Sequence, residues 1–207
     1  MGLERRTYNF EIRAEQDERG SVITGRPIVY NSRTDLGFFD EIIEQGALDT
    51  TDLRDVRLLV NHDEKGIPVA RSRRNNGNST MQLTVDDMGM GMRANLDTEN
   101  NMHSRALYSA VERGDISGMS FAFSVDGERW DGLETDHPTR HITRIGTVVE
   151  VSAVTFPAYE STEIQARDKA ALDSARDALE RARETRPLDS GLELLKEKTK
   201  LIGGLFE

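Results

Sequence analysis

The chain contains no cysteine, which removes a disulfide framework, a thiolate metal site and a cysteine nucleophile together. It also lacks excess positive charge: the formal net charge is −10 and the pI is near 5.0. Such a field repels phosphate backbones, so neither a nucleic-acid groove nor an anionic membrane surface is expected, and protein is the expected partner. No apolar run approaches the length of a membrane span, and Met1 to Arg13 has no apolar leader core, so a soluble, unexported protein is expected. A Gly-x-Ser-x-Gly nucleophile elbow is missing as well, which argues against an α/β-hydrolase arrangement. At 207 residues there is room for one domain with a full core and an appendage, while two full domains would be tight.

The most informative stretch runs from Arg113 to Val125. Upstream of it, Met102, Ala106, Leu107, Ala110 and Val111 recur at helical spacing, and Gly114 suits the left-handed residue that closes a helix. From Ser120 the period becomes two: Phe121, Phe123 and Val125 share one face of a strand, and Ser120, Ala122 and Ser124 share the other. A serine opening a strand, with Gly118 two residues before it, is a candidate nucleophile. Taken alone, a serine on the small face of a strand is ordinary.

Tyr8, Phe10 and Ile12 alternate with polar residues as in a half-buried strand. Asp17-Glu18-Arg19-Gly20 turns the chain into a second strand, bulged near Gly25-Arg26-Pro27 because proline cannot donate to a ladder. Phe38 to Leu48 reads as an irregular connection with a short helix. Val56, Leu58 and Val60 alternate, and the same parity places His62 with the apolar side chains. An imidazole at a sheet rim is either a general base or a hydrogen-bonded strand end. Arg73 to Asn78 carries hairpin chemistry at Asn76-Gly77, and two arginines there suit a solvated loop. Met81, Leu83 and Val85 form the next strand, the Met88 to Met92 cluster leads into another, and Asp97 or Thr98 caps the helix that follows.

Beyond Val125 a polar excursion carries the one tryptophan. His141 to Ile145 then forms a strand, Gly146 a turn, and Thr147 to Thr155 a final strand. Glu150 is the single charge in that last segment, which marks an edge residue or a functional one. His137 and His141 are four apart, but Pro138 disfavours a helix between them and no third ligand has suitable spacing, so no metal site is expected. From Ser161 the composition turns to alanine, arginine, aspartate and glutamate, with a thin stripe of Ala171, Leu172, Ala175, Leu179 and Ala182. After Pro187, Leu192, Leu194, Leu195, Leu201 and Ile202 give a second amphipathic piece. These features suggest a helical or partly disordered appendage for docking or scaffolding.

Three stretches combine: the strand ending in Asn61-His62-Asp63 and followed by Pro68-Val69-Ala70-Arg71-Ser72, the Gly114 to Phe123 segment with Met119-Ser120, and Glu150-Val151-Ser152-Ala153-Val154-Thr155-Phe156-Pro157-Ala158-Tyr159. Together they resemble the prohead maturation proteases of tailed bacteriophages. Phe39 to Leu48, with Glu41 and Gly46-Ala47-Leu48, is similar to the same family. The resemblance covers Tyr8 to Tyr159 and divides the chain into a protease domain, 1–160, and an appendage, 161–207. It implies an α+β, mostly β fold similar to herpesvirus assemblin: an antiparallel β-barrel with flanking helices, here with a helical C-terminal tail.

The resemblance further implies a serine endopeptidase, without cofactor or metal, that cleaves major capsid protein and scaffold segments, and also itself. It would act inside the assembling procapsid in the host cytoplasm, where it could self-associate. By motif position Ser120 is the nucleophile and His62 the general base. For the third member the phage family points to an acid at Glu150, whereas the herpesvirus relatives use a second histidine, for which His141 is nearest. Glu150 is preferred, as the group that holds the imidazole tautomer and stabilises the imidazolium. Oxyanion donors are not evident, although Arg144 lies in a suitable region. The competing reading is a protease-like scaffold without activity, which would have no need of His62, Ser120 and Glu150 together.

Overall fold

Repeated two-residue alternation dictates a chain made mainly of strands. The computed structural model, which describes residues 3–8, 12–18, 20–155 and 169–185, has eleven strands and two helices among them. One sheet is built around β10 (Gly118–Asp131) and β11 (Thr139–Val154), which pair antiparallel as a long hairpin. β1 (Glu4–Tyr8) flanks β10. Along the other side of β11, β5 (Asp40–Ile43) runs parallel to Thr139–Ile142 and β6 (Asp55–Val60) runs parallel to Glu150–Ala153. β4 (Arg33–Asp35) extends β5, and β7 (Ala70–Arg73) extends β6. The second sheet is antiparallel, in the order β2 (Ile12–Asp17), β3 (Gly20–Val29), β9 (Gly89–Leu96) and β8 (Met81–Asp86).

The core lies between the sheets, where Ile23, Ile28, Met81 and Met90 of one join Leu58, Met119, Phe121, Phe123 and Val151 of the other. Burying side chains of this size stabilises by roughly 1.5–3 kcal/mol each. The core places Phe121 and Phe123 on one face of β10, as their parity requires, and leaves Ser120 on the other. α1 (Met102–Glu112) adds Leu107 and Val111 to the core. α2 (Lys169–Thr185) buries Ala175 and Leu179 with Phe39, and Leu36, Phe38, Trp130 and Leu133 pack around them.

Several expectations met a different outcome. The alternation from Tyr8 to Ile12 is two strands in two sheets, β1 and β2, rather than one. No helix forms between Phe38 and Leu48; Asp40–Ile43 is β5, drawn into a parallel pair with β11. β7 and β8 form no hairpin, because β7 pairs with β6 and β8 with β9; the left-handed residues are Arg74 and Asn75, not Asn76 and Gly77. α1 is capped by Asn101, whose side chain accepts from the backbone N–H groups of His103 and Ser104, while Asp97 accepts from the N–H of Asn100 instead. Gly146 makes no turn and lies inside β11.

Other expectations hold. Gly114 has φ +78 at the end of α1, and the register between β3 and β9 shifts between Gly25 and Ile28, around Pro27. Among the described residues the chain is mostly β, as expected, but the expected antiparallel barrel is not seen: the strands form two sheets without closing, and the larger one is mixed because β5 and β6 run parallel to β11. Phe10, the Phe156 to Tyr159 motif, the 160/161 boundary and the amphipathic piece after Pro187 lie outside the described residues.

Candidate active site

Glu150 and Ser152 are two residues apart on β11 and therefore share a face. Register extends that face across the sheet: Ser152 stands between Ser120 of β10 and Leu59 of β6, and Glu150 stands between Ala122 and Arg57. The opposite face carries Phe121, Val151 and Leu58 into the core. A register shift between Ala122 and Phe123 leaves Val149 as the extra residue of a bulge beside Glu150, a device that re-aims side chains near sites.

His62 reaches this face by a route that parity does not predict. β6 ends at Val60, and both Asn61 (φ +51) and His62 (φ +57) are left-handed, a conformation costly for residues other than glycine and one that Asn tolerates best. Asn61 holds the turn. Its Oδ1 accepts from the Thr155 N–H at 2.9 Å, its Nδ2 donates to Thr155 Oγ1 at 2.9 Å, and its own N–H donates to the Ala153 carbonyl at 2.9 Å. The imidazole is thereby turned away from the Val56 and Leu58 side and onto the Glu150 side.

There, His62 Nδ1 lies 2.6 Å from Glu150 Oε1. Glu150 Oε2 accepts from Ser152 Oγ at 2.6 Å, and the same Oγ accepts from the His62 N–H at 3.2 Å. A carboxylate oxygen accepts, so Nδ1 carries a ring proton in this pair, and in the neutral imidazole Nε2 is the nitrogen with the lone pair. Nε2 is buried and has no hydrogen-bond partner among the described residues. Buried polar atoms without partners are few in native structures, and they call for a functional reason.

Ser120 is 0% exposed. It stands opposite Ser152 on one side and Thr7 on the other. Its Oγ donates to the Arg6 carbonyl at 2.8 Å and accepts from Thr7 Oγ1 at 3.0 Å. His62 and Glu150 thus meet directly, whereas Ser120 shares their face, one strand away, with its hydroxyl turned to β1.

β1 is held by a buried ion cluster. Arg6 donates to Glu41 through Nε at 2.6 Å and Nη2 at 2.8 Å, to Glu4 through Nη2 at 2.6 Å, and to the Arg5 carbonyl and Ser174 Oγ through Nη1. Arg140 donates to Glu4 at 2.7 and 2.9 Å, to Glu41 at 3.0 Å and to Glu128. Burial alone would raise the Glu4 carboxyl and lower both guanidinium groups, but mutual hydrogen bonds and charge outweigh it. Glu4 is held below its ordinary value and both arginines above theirs.

The other candidates lie elsewhere. His141 faces Glu44 at 3.0 Å and Asp131 at 3.2 Å, nine residues along β11 from Glu150 and so roughly 30 Å away at the rise of a strand. Arg144 donates to the Asp126 carbonyl. His137 faces Asp40 at 3.3 Å and Asp35 at 3.7 Å, not His141. Ser117 is exposed, just before β10. Two contributors were missed in the sequence, Ser152 and Asn61. Period two from Glu150 would have found the first, and the left-handed tolerance of Asn directly before His62 was the signal for the second.

No curated protein and no solved structure matches the chain. The family model of the caudovirus prohead serine proteases matches residues 8–175, ending inside α2. That span contains Asn61, His62, Ser120, Glu150 and Ser152 and covers most of the sequence, and the chain belongs to the caudovirus prohead serine proteases.

Proposed function

We propose that His62, Ser120 and Glu150 form the catalytic triad of a serine endopeptidase that cleaves major capsid protein and scaffold segments inside the assembling procapsid, and that also cleaves itself. The observation that carries this reading is the His62–Glu150 pair at 2.6 Å with Nε2 buried and unpartnered. Glu150 fixes the tautomer, so Nε2 is free to take a proton. In the reaction the Ser120 hydroxyl turns from the Arg6 carbonyl, gives its proton to Nε2, and Oγ bonds to the substrate carbonyl carbon. The imidazolium, stabilised by Glu150, then protonates the departing amine as the C–N bond breaks, and water repeats the sequence on the acyl-enzyme. Ser152 positions Glu150 and touches the backbone of His62, so it acts through them. The likeness to the assemblin fold belongs to the same proposal, supported by a mostly β chain with its core between two sheets. So does self-association within the procapsid.

A second reading has one observation in its favour: Ser120 is fully buried and bonded to β1, as in a protease-like scaffold without activity. Mass spectrometry of capsid precursor incubated with wild-type and Ser120→Ala protein separates the two. Cleavage by wild type and none by the variant, with unchanged circular dichroism, is the expected result. Equal cleavage by both would sink the Ser120 assignment, and no cleavage by wild type would favour the scaffold.

A further inference from the structure

Beside the Glu150 face lies a cavity of about 320 Å³ whose lining combines Leu3, Leu59, Pro68 and Val149 with Arg57, Glu150 and Glu64, the last paired with Arg5. A second cavity of about 590 Å³ adjoins it, with Arg57 and Val149 lining both. The second is arginine-rich: Arg54, Arg57, Arg71, Arg73 and Arg74 line it together with Asp52 and Asp55. Five positive against two negative charges leaves an excess of three, on a chain whose net charge is −10. The excess has identifiable owners. Arg54 is matched by Asp52 at 2.5 Å, and Asp55 is shared by Arg71 at 2.6 Å and Arg57 at 3.0 Å. Arg73 and Arg74 are exposed and have no carboxylate partner among the described residues.

The register sharpens the point. Arg57 and Arg71 are direct cross-strand partners of β6 and β7, and Glu150 is the partner of Arg57 on β11. Like charges directly opposite each other destabilise a sheet, and Asp55 offsets this by accepting from both guanidinium groups, so the unmatched charge lies farther out, at Arg73 and Arg74. The row runs from the carboxylate of the site outward, one strand spacing of about 4.8 Å at a time.

We propose that this cleft selects acidic substrate segments, with an apolar side chain seated over Leu59, Pro68 and Val149 and glutamate or aspartate side chains bound by Arg73 and Arg74, the two arginines that no carboxylate of the described residues occupies. The proposal rests on the reading of His62, Ser120 and Glu150 as the catalytic groups. Arginine forks match carboxylates in bidentate geometry. β7 lies three strand spacings, about 14 Å, from the strand of Ser120, which at the rise of an extended chain corresponds to acidic residues roughly four positions from the scissile bond. A nucleic acid is the other polyanion that arginines bind. No aromatic residue lines the cleft to stack bases, which disfavours it.

Two measurements on the full chain test the idea. In the first, a random-sequence peptide library is digested and the products are read by mass spectrometry. The expected result is enrichment of Glu and Asp on one side of the cut, with kcat/KM falling about tenfold or more when these are changed to Gln. The double variant Arg73→Glu/Arg74→Glu should lose the preference and accept Lys instead. Wild type cutting acidic and Gln peptides equally would overturn the proposal while leaving the triad standing. In the second, Ser120→Ala protein is titrated with a fluorescent glutamate-rich peptide, its lysine counterpart and a single-stranded oligonucleotide. Binding of the glutamate peptide alone, weakened about tenfold by the same double reversal, supports the cleft without reference to catalysis. Tighter binding of the oligonucleotide, or no effect of the reversal, refutes it. Cleavage that survives Ser120→Ala would instead refute the triad, and the binding titration would still decide the cleft.

Discussion

Two buried polar clusters occupy the same sheet, and they differ in whether their hydrogen bonds are complete. In the cluster of Arg6, Arg140, Glu4, Glu41 and Glu128, every guanidinium nitrogen of both arginines donates to an oxygen. Arg6 and Arg140 are each 1% exposed, and Phe123 and Trp130 lie beside them at 5.7 and 5.8 Å. The cluster joins β1, β5, β10, β11 and α2, so its product is position. In the cluster of His62, Glu150 and Ser152 all bonds are made but one, at Nε2. A saturated network holds strands in place, whereas the second leaves one buried ring nitrogen without a hydrogen-bond partner. The first cluster also serves the second, because it fixes the strand whose Arg6 carbonyl and Thr7 hydroxyl hold Ser120.

The contrast can be broken most severely at Glu150. Glu150→Gln keeps the shape and removes the charge, so the wrong imidazole tautomer becomes accessible and the imidazolium loses its partner. Activity should fall by ~10⁴-fold, as when the acid of a serine triad is neutralised, with a melting temperature close to wild type. Full activity in a folded variant would remove Glu150 from the site.

The saturated cluster should respond in stability rather than in chemistry alone. Arg140→Met leaves Glu4 and Glu41 buried with only Arg6 between them, and breaking a buried network this way costs about 3–5 kcal/mol. Urea unfolding measures it. Adding Glu4→Gln should restore part of the loss, since one uncompensated charge goes with it. A loss under about 1 kcal/mol would place the cluster among surface pairs and end the comparison.

Ser152 should matter less than the carboxylate it supports. Ser152→Ala deletes one hydrogen bond to a carboxylate and one from the His62 backbone, so kcat should drop roughly 10–100-fold, well short of the loss at Glu150. As a positioning residue it should leave KM unchanged, and Ser152→Thr should rescue part of the rate because the hydroxyl returns. A fall in KM-dependent binding with kcat intact would mean that Ser152 lines the substrate path instead.

How much of this was legible in the sequence depends on how local the cause was. The two faces of β10 follow from side-chain alternation alone, and so does the left-handed end of α1 at Gly114. The charge at Glu150 marked itself by being buried among β-formers. The face on which His62 sits was not legible, because two consecutive left-handed residues held by Thr155 and Ala153 override the parity of β6. β5 is not legible as a strand, since Asp40–Ile43 is too short for alternation to register and its strand character comes from pairing with distant β11. The ion cluster was invisible for the same reason: Arg6, Glu41 and Arg140 look like ordinary surface charges until three strands bring them together.

The smallest expected effect concerns acid, and it separates the buried cluster from the surface. Burial alone would raise the Glu4 carboxyl, yet hydrogen bonds and charge from Arg140 and Arg6 hold it below its ordinary value near 4.5. Between those two values the unfolded chain binds more protons than the folded one, so stability rises with pH there. The contribution is complete above the ordinary value and is lost as pH falls through the folded one. Asp52 and Asp86 are also held low, each to about 2, by hydrogen bonds from Arg54 and Arg26, and they add their own slope in the same direction. They are exposed, however, and salt screens exposed pairs far more than buried ones. Melting temperature followed from neutral pH downward should therefore decline below pH 4.5, and adding salt should flatten only part of the decline. Glu4→Gln, which cannot titrate, should remove the part that survives salt. If Glu4→Gln leaves the acid slope in high salt unchanged, the cluster is not holding Glu4 ionised, and its claim to be the saturated counterpart of the His62 site fails at that residue.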